Sequence, residues 1–162
     1  MAENIRIITT GGTIDKVYFD ALSDYQVGEP TIGQILEEAH VEVNYTVQKV
    51  CKKDSLDLTD EDREAVAEAV RAAKEKRVLI THGTDTMIKT AQYLKSIPGK
   101  TIVFTGAMNP TRIRNSDAFF NVGCAIIAVQ TLAPGIYIVM NGQIHNPDKV
   151  QKNRSHSRFE SV

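Results

Sequence analysis

The chain has few of the residues and patterns that mark metal-binding, membrane and secreted proteins. Its 162 residues include two cysteines and four histidines, and none of them has the spacing of a C-x-x-C or Cys/His metal site. No apolar run approaches the 18 or so residues that a membrane helix needs. The first residues also lack the basic stretch and the following apolar stretch that are typical of a leader peptide. We therefore expect no metal, no cofactor and no membrane contact, reduced structural cysteines, and a cytoplasmic location.

An excess of one sign of charge is also missing. The chain has 19 Lys and Arg residues and 20 Asp and Glu residues, which give a formal net charge of −1. Nucleic-acid-binding domains are usually basic, so we expect no nucleic-acid partner. Residues 152–158 are locally basic, which is typical of a solvated, mobile terminus. With 42% hydrophobic residues, the chain is long enough for one hydrophobic core, and a single domain over residues 1–162 is expected.

Short apolar runs alternate with helical patterns along the chain. The runs predict strands over residues 5–8, 41–50, 77–81, 101–105 and 136–140, and the helical patterns predict helices over residues 31–39, 59–76, 84–97 and 116–130. Residues 14–30 show no periodicity and are expected to form a long loop. Asn141-Gly142 is a hairpin signal, so residues 143–145 should return antiparallel. The pattern predicts a three-layer α/β/α sandwich with a mainly parallel, doubly wound (Rossmann- or flavodoxin-like) sheet and a C-terminal β-hairpin.

Polar turns follow the predicted strands. They occupy residues 9–13, 54–57, 81–85 and 106–108. Because the carboxyl ends of parallel strands lie at one edge of a sheet, these turns can converge there, where α/β proteins bind ligands. The turn over residues 81–85 leads into a predicted helix, which Thr84 or Asp85 can cap.

The turn around Gly11-Gly12 has two interpretations. The chain lacks both G-x-G-x-x-G and G-x-x-x-x-G-K-[ST], so the nucleotide signal is weak. One interpretation is a tight turn that needs positive φ. The other is the presentation of the Thr13 hydroxyl as a nucleophile beside free backbone N–H groups. This turn alone favours the structural interpretation. Taken alone, Tyr25 is more typical of a residue that anchors a loop, and Lys152 is more typical of a solvated tail.

Two turns together resemble the signatures of the bacterial-type L-asparaginase family. Residues 10–14 read TGGTI and residues 82–87 read HGTDTM, and each of these motifs is fairly specific for that family. Further matches extend the resemblance over essentially the whole chain, at residues 25–28 (YQVG), 54–58 (DSLDL), 106–108 (GAM), 116–117 (SD) and 121 (N), and at residues 150–152 (VQK).

The resemblance implies a threonine amidohydrolase that cleaves the side-chain amide of L-asparagine to L-aspartate and ammonia through an acyl-enzyme. Thr13 would be the nucleophile and Tyr25 its loop-borne partner. A second catalytic set of a hydroxyl, an amine and a carboxylate would consist of Thr84, Lys152 and Asp85. A threonine hydroxyl is protonated at neutral pH, and a lysine beside a carboxylate can organise its proton transfer.

The same resemblance implies a substrate site. Ser55 would hold the α-carboxylate of the substrate and Asp85 its α-ammonium, while backbone N–H groups near Gly12 or Thr84 would stabilise the oxyanion. Glutaminase side activity is also implied, and members of this family form homodimers or larger homo-oligomers.

The sequence departs from the family pattern in two ways. Family members carry a smaller C-terminal domain, which lends an acidic residue to a neighbouring subunit, and we expect that domain to be absent here. Leu56 also stands where many members have a polar residue. Weaker or altered amino-acid binding is therefore expected. Two alternatives to an asparaginase stay open: an ammonia-supplying subunit of a tRNA amidotransferase, and a catalytically silent amino-acid-binding module.

Overall fold

The computed structural model describes residues 3–162, which form a central sheet with helices on both faces. The strands of this part of the chain are β1 (Ile5–Gly11), β2 (Lys16–Phe19), β3 (Asp24–Val27), β4 (Tyr45–Lys53), β5 (Arg77–Thr81), β6 (Thr101–Thr105), β7 (Gly135–Met140), β8 (Gln143–His145), β9 (Val150–Asn153) and β10 (Arg158–Ser161). The helices are α1 (Ile32–Glu38), α2 (Asp60–Ala72), α3 (Met87–Tyr93) and α4 (Ala118–Thr131).

The sheet has six strands in the order β4-β1-β5-β6-β7-β8. The first five are parallel and β8 returns antiparallel to β7. Numbered along the chain, the parallel strands have the order 2-1-3-4-5, which is the flavodoxin-like doubly wound order. The predicted fold class is therefore confirmed. In such a sheet the strand order reverses between β1 and β5, and ligands bind outside the carboxyl ends of the strands at that point.

Both faces of the sheet are apolar because its strands are covered on both sides. Helices α1 and α4 pack on the face that carries Ile7, Leu79 and Val103. Helices α2 and α3 pack with Ile80 and Phe104 on the other face. Since helices bury both faces of the sheet, the polar groups that can bind a ligand lie in the loops at the strand ends. None of the helices in residues 3–162 combines the length and hydropathy needed to cross a bilayer.

The structure corrects several predicted elements. Residues 14–30 are not a structureless loop, because β2 and β3 form an antiparallel hairpin there. The strand predicted over residues 41–50 runs from Tyr45 to Lys53. The basic segment over residues 152–158 is not a mobile terminus either, since it belongs to the antiparallel β9–β10 hairpin. The side chains of Val150 and Phe159 anchor this hairpin in the core.

The predicted cap of helix α3 is also wrong. The helix begins at Met87 with Thr86 as its N-cap, and that residue makes no side-chain capping bond. Thr84 and Asp85 lie in the turn before the helix, and Lys152 donates hydrogen bonds to both side chains. The two residues are therefore engaged across the fold and are not available to the helix.

Candidate active site

The two glycine turns that follow β1 and β5 touch each other. Gly12 has φ 86°, and a Cβ built on it would overlap the Cα and the backbone nitrogen of Gly83. Only glycine permits so close an approach of two backbones. The residues that follow these glycines, Thr13 and Thr84, therefore flank one contact, at the point where the strand order reverses. A prediction made from the sequence, that these polar turns converge, is confirmed for this pair.

Replacing Gly12 with alanine should force the two turns apart. The added methyl would overlap the backbone of Gly83 at a positive φ, so we expect a loss of about 2 kcal/mol or more in the free energy of unfolding. Chemical denaturation measures this. Gly33 in α1 is the matched control, since a Cβ there meets nothing within 4 Å and alanine is the better helix former by about 1 kcal/mol. Equal stability of the Gly12→Ala variant and the wild type would contradict the tight contact.

The turn after β4 joins the same site. Ser55 is buried, with 2% of its surface exposed, and a Cβ on Gly83 would lie 2.7 Å from the Ser55 hydroxyl. That hydroxyl accepts a hydrogen bond from the backbone N–H of Thr86 at 3.3 Å, and the Thr86 hydroxyl donates to the Ser55 carbonyl at 2.7 Å. Ser55 is thus held at the base of the turn that carries Thr84 and Asp85, although its role in substrate binding stays a prediction.

Lys152 reaches the same turn from the β9–β10 hairpin. Its Nζ donates to the Thr84 hydroxyl at 2.7 Å and to Oδ1 of Asp85 at 2.8 Å. The side chain of Lys152 is 16% exposed and that of Asp85 is 25% exposed, so this ion pair is only partly screened by solvent. The structure brings together the three residues of the predicted hydroxyl–amine–carboxylate set, although Lys152 is separated from the other two by 67 positions or more in the chain.

Arg154 adds a second cation that the sequence reasoning missed. Its guanidinium lies 3.0 Å from Oδ1 of Asp85, the oxygen that Lys152 also contacts. The Arg154 side chain is 68% exposed, so it stands at the rim of the site. The only signal for it in the sequence is its place two residues after Lys152, in a segment whose composition is typical of a solvated tail.

The turn that carries Thr13 is fixed through its neighbours. The carbonyl of Ile14 accepts hydrogen bonds from the backbone N–H of Thr111 at 3.1 Å and from the Thr111 hydroxyl at 2.8 Å. The Asp15 carboxylate accepts from the Thr31 N–H at 2.9 Å and from the Thr31 hydroxyl at 3.0 Å. Thr13 itself is half-buried, and no hydrogen bond joins its hydroxyl to another group in residues 3–162. Its hydroxyl is therefore unengaged while its backbone is anchored.

Burial raises the pKa of Asp15 to about 6, against the opposing effect of its hydrogen bonds to Thr31 and of the Arg112 charge. A carboxyl with a raised pKa stabilises the fold in its protonated form. That contribution is complete below the ordinary value of 3.8 and is lost as the pH rises through about 6.

The Asp15→Asn variant should therefore gain stability relative to the wild type as the pH rises. Between about pH 4 and about pH 7 we expect the difference in free energy of unfolding to move by about 2 kcal/mol in favour of asparagine. Denaturant titrations across this range measure the shift. Asp20→Asn, at an exposed position, is the control and should show no comparable change; a pH-independent difference for Asp15→Asn would contradict the assignment.

Tyr25 lies on β3 opposite Tyr18. The two rings meet edge to face with their centroids 5.4 Å apart, and 44% of Tyr25 is exposed. No hydrogen bond connects the Tyr25 hydroxyl to Thr13 or to any other group in the described range. The backbone of this hairpin is nevertheless tied to the site, since Gly28 N–H donates to the Asp15 carbonyl at 2.7 Å. The partnership of Tyr25 with Thr13 stays a prediction.

His82 is a structural residue of the turn. It is fully buried, and its ring nitrogens contact the Gly83 carbonyl at 2.7 Å and the Thr90 hydroxyl at 2.8 Å. Burial lowers its pKa to about 4, so the ring is neutral near pH 7 and holds the turn against α3. Residues 3–162 contain no group of three or more His, Cys, Asp or Glu side chains placed to hold a metal ion.

The chain matches a family model described as "Asparaginase, N-terminal" over residues 4–162. Among curated relatives, the probable periplasmic L-asparaginase of Haemophilus influenzae is 30% identical over 92% of this chain and 46% of its own length. A glutamyl-tRNA(Gln) amidotransferase component of Archaeoglobus fulgidus is 32% identical over 98% of this chain and 42% of its own length. The chain thus spans about half the length of the curated relatives that it matches.

Solved structures also match this chain over about half of their own length. The thermostable L-asparaginase from Thermococcus kodakarensis superposes with a TM-score of 0.85 at 26% identity, over 98% of this chain and 51% of that one. L-asparaginase I from Vibrio cholerae gives a TM-score of 0.85 at 26% identity, over 99% of this chain and 52% of that one.

Proposed function

Since this chain belongs to the asparaginase family, whose N-terminal domain it matches, we propose that it is an amidohydrolase that converts L-asparagine to L-aspartate and ammonia. The observation that carries the proposal is the meeting of two turns, with Thr13 beside the Gly12–Gly83 contact and Thr84 joined to Lys152 and Asp85. An unengaged hydroxyl beside a hydroxyl–amine–carboxylate set suits nucleophilic attack on an amide.

The proposed reaction has two steps. The Thr13 oxygen attacks the amide carbon, its proton passes to the leaving nitrogen, and ammonia departs to leave an aspartyl ester on Thr13. Water then attacks the ester, returns a proton to the Thr13 oxygen and releases aspartate. Lys152 and Asp85 organise the proton movement through Thr84, and backbone N–H groups near Gly12 or Thr84 stabilise the oxyanion in both steps.

Ammonia release from L-asparagine and from L-glutamine, measured side by side, tests this proposal. We expect turnover of asparagine, with glutamine as the poorer substrate. Binding of L-aspartate without release of ammonia from either amide would instead support the silent binding module.

A second candidate function is favoured by the relationship to a glutamyl-tRNA(Gln) amidotransferase component. In this alternative the chain releases ammonia from glutamine for a partner protein. Glutaminase activity that appears only when a partner from the source cell is present would support it. A pull-down that recovers no synthetase-like or amidotransferase protein would count against it.

We also propose a homo-oligomer. An apolar groove of about 590 Å³ runs between α4 and β8 and is lined by Phe120, Ile127 and Ile144. These side chains are 63%, 63% and 54% exposed, and exposed apolar patches often mark subunit contacts. Light scattering tests this, and a monomeric mass would contradict it.

Cytoplasmic location is proposed on the two unpaired cysteines, Cys51 and Cys124.

A further inference from the structure

The β2–β3 hairpin has two faces, and its register assigns each side chain to one of them. In an antiparallel pair, directly opposed residues share a face, and neighbours along a strand alternate between faces. Lys16 is opposite Val27, and Tyr18 is opposite Tyr25. These four side chains therefore lie on one face of the hairpin, whereas Phe19 lies on the other.

Contacts at the base of the hairpin show where the face with the two tyrosines points. Nζ of Lys16 lies 3.0 Å from Oδ2 of Asp54, on the turn after β4. A Cβ built on Gly11, the last residue of β1, would lie 3.0 Å from Cγ1 of Val27. Both basal residues of this face thus contact segments that form the candidate site, and the two tyrosines extend the same face outward from those contacts.

We infer that Tyr18 is a positioning residue that holds the ring of Tyr25 over the candidate site. The two rings meet edge to face, with 5.4 Å between their centroids and 63° between their planes, a favourable geometry for an aromatic pair. Since Tyr25 is 44% exposed and its hydroxyl forms no hydrogen bond in residues 3–162, contact with the Tyr18 ring restrains its orientation. This inference rests on the proposed amide hydrolysis and on the predicted partnership of Tyr25 with Thr13.

The proposed role depends on the ring of Tyr18 and not on its hydroxyl. Tyr18→Phe keeps the ring and should keep the contact, whereas Tyr18→Ala removes both. Phe19→Ala is the matched control, because Phe19 is the next residue on the same strand and has a similar exposure, 47% against 53% for Tyr18. It removes an exposed aromatic ring from the other face of the hairpin and leaves the tyrosine pair intact.

Rates of ammonia release from L-asparagine by these variants test the inference. We expect Tyr18→Ala to lower kcat by about tenfold, which corresponds to about 1.4 kcal/mol, and Tyr18→Phe and Phe19→Ala to keep the wild-type kcat. In a Tyr25→Ala background, Tyr18→Ala should have no further effect, because the ring that it positions is gone. A wild-type kcat in Tyr18→Ala, an equal fall in Phe19→Ala, or a fall that persists without Tyr25 would overturn the inference.

An NMR titration keeps this inference separable from the proposed reaction. The ring resonances of Tyr25 are followed as L-aspartate, the proposed product, is added. If asparagine is hydrolysed and Tyr18→Ala is fully active, amide hydrolysis stands and the inference is overturned. If asparagine is not hydrolysed, the proposed function falls and the titration decides the inference. A shift of the Tyr25 resonances that is lost in Tyr18→Ala and kept in Phe19→Ala would support it. An unchanged shift in Tyr18→Ala, or no shift in the wild type, would overturn it.

Discussion

Replacement of Thr13 by alanine is expected to reduce ammonia release from L-asparagine by at least about 10³-fold, because the variant lacks the oxygen that forms the ester. The fold should survive the change. The turn is held through the Ile14 carbonyl and the Asp15 carboxylate, and the Thr13 side chain takes no part in those bonds. Steady-state ammonia assays, with thermal unfolding of both proteins, separate lost chemistry from lost structure.

Thr46→Ala provides the control for this variant. Thr46 is exposed and lies near the start of β4, at the edge of the sheet opposite the site. We expect its activity to equal that of the wild type. Unimpaired turnover by Thr13→Ala would refute the assigned nucleophile and would direct attention to Thr84, the other hydroxyl beside the contact between the turns.

The Lys152→Met variant should show the second largest effect, a fall in kcat of about 10²- to 10⁴-fold, which is the range for loss of a group that transfers protons. Methionine keeps much of the length of the side chain but cannot donate to the Thr84 hydroxyl or to Asp85. Arg154 would still neutralise Asp85 at 3.0 Å, so the carboxylate would not be left without a cation.

The comparison for this prediction is Lys149→Met. Lys149 is exposed in the turn that precedes β9, where its backbone N–H and carbonyl form hydrogen bonds with Asn146 and Val162. Its replacement should leave kcat unchanged, since methionine keeps both backbone groups. A Lys152→Met variant with wild-type kcat would mean that Thr84 and Asp85 act without the lysine, and the proposed second catalytic set would fail.

The sheet could be predicted from the sequence because its parallel strands are buried on both faces. Runs such as residues 77–81 and 101–105 are apolar enough to identify without a partner, and the predicted strands coincide with β5 and β6. The β2–β3 hairpin could not be found in this way. Its strands are largely exposed, so no alternation of apolar and polar residues marks them, and their pairing depends on the turn between them.

The candidate site could be predicted in part. The polar turns after β1 and β5 could be placed together because the carboxyl ends of parallel strands share one edge. Arg154 and the contacts between Asp15 and Thr31 could not be foreseen, since they depend on how segments distant in the chain fold onto that edge. Lys152 is identifiable only through a motif, and its bond to Thr84 required the β9–β10 hairpin, which the sequence did not indicate.

Peptide mapping by mass spectrometry after acid quenching of the enzyme during turnover of L-asparagine is the most direct test of the proposed nucleophile. We predict an aspartyl ester on the peptide that contains Thr13, absent from the Thr13→Ala variant and from enzyme quenched without substrate. An ester on the peptide that contains Thr84, or rapid turnover in the Thr13→Ala variant, would contradict it.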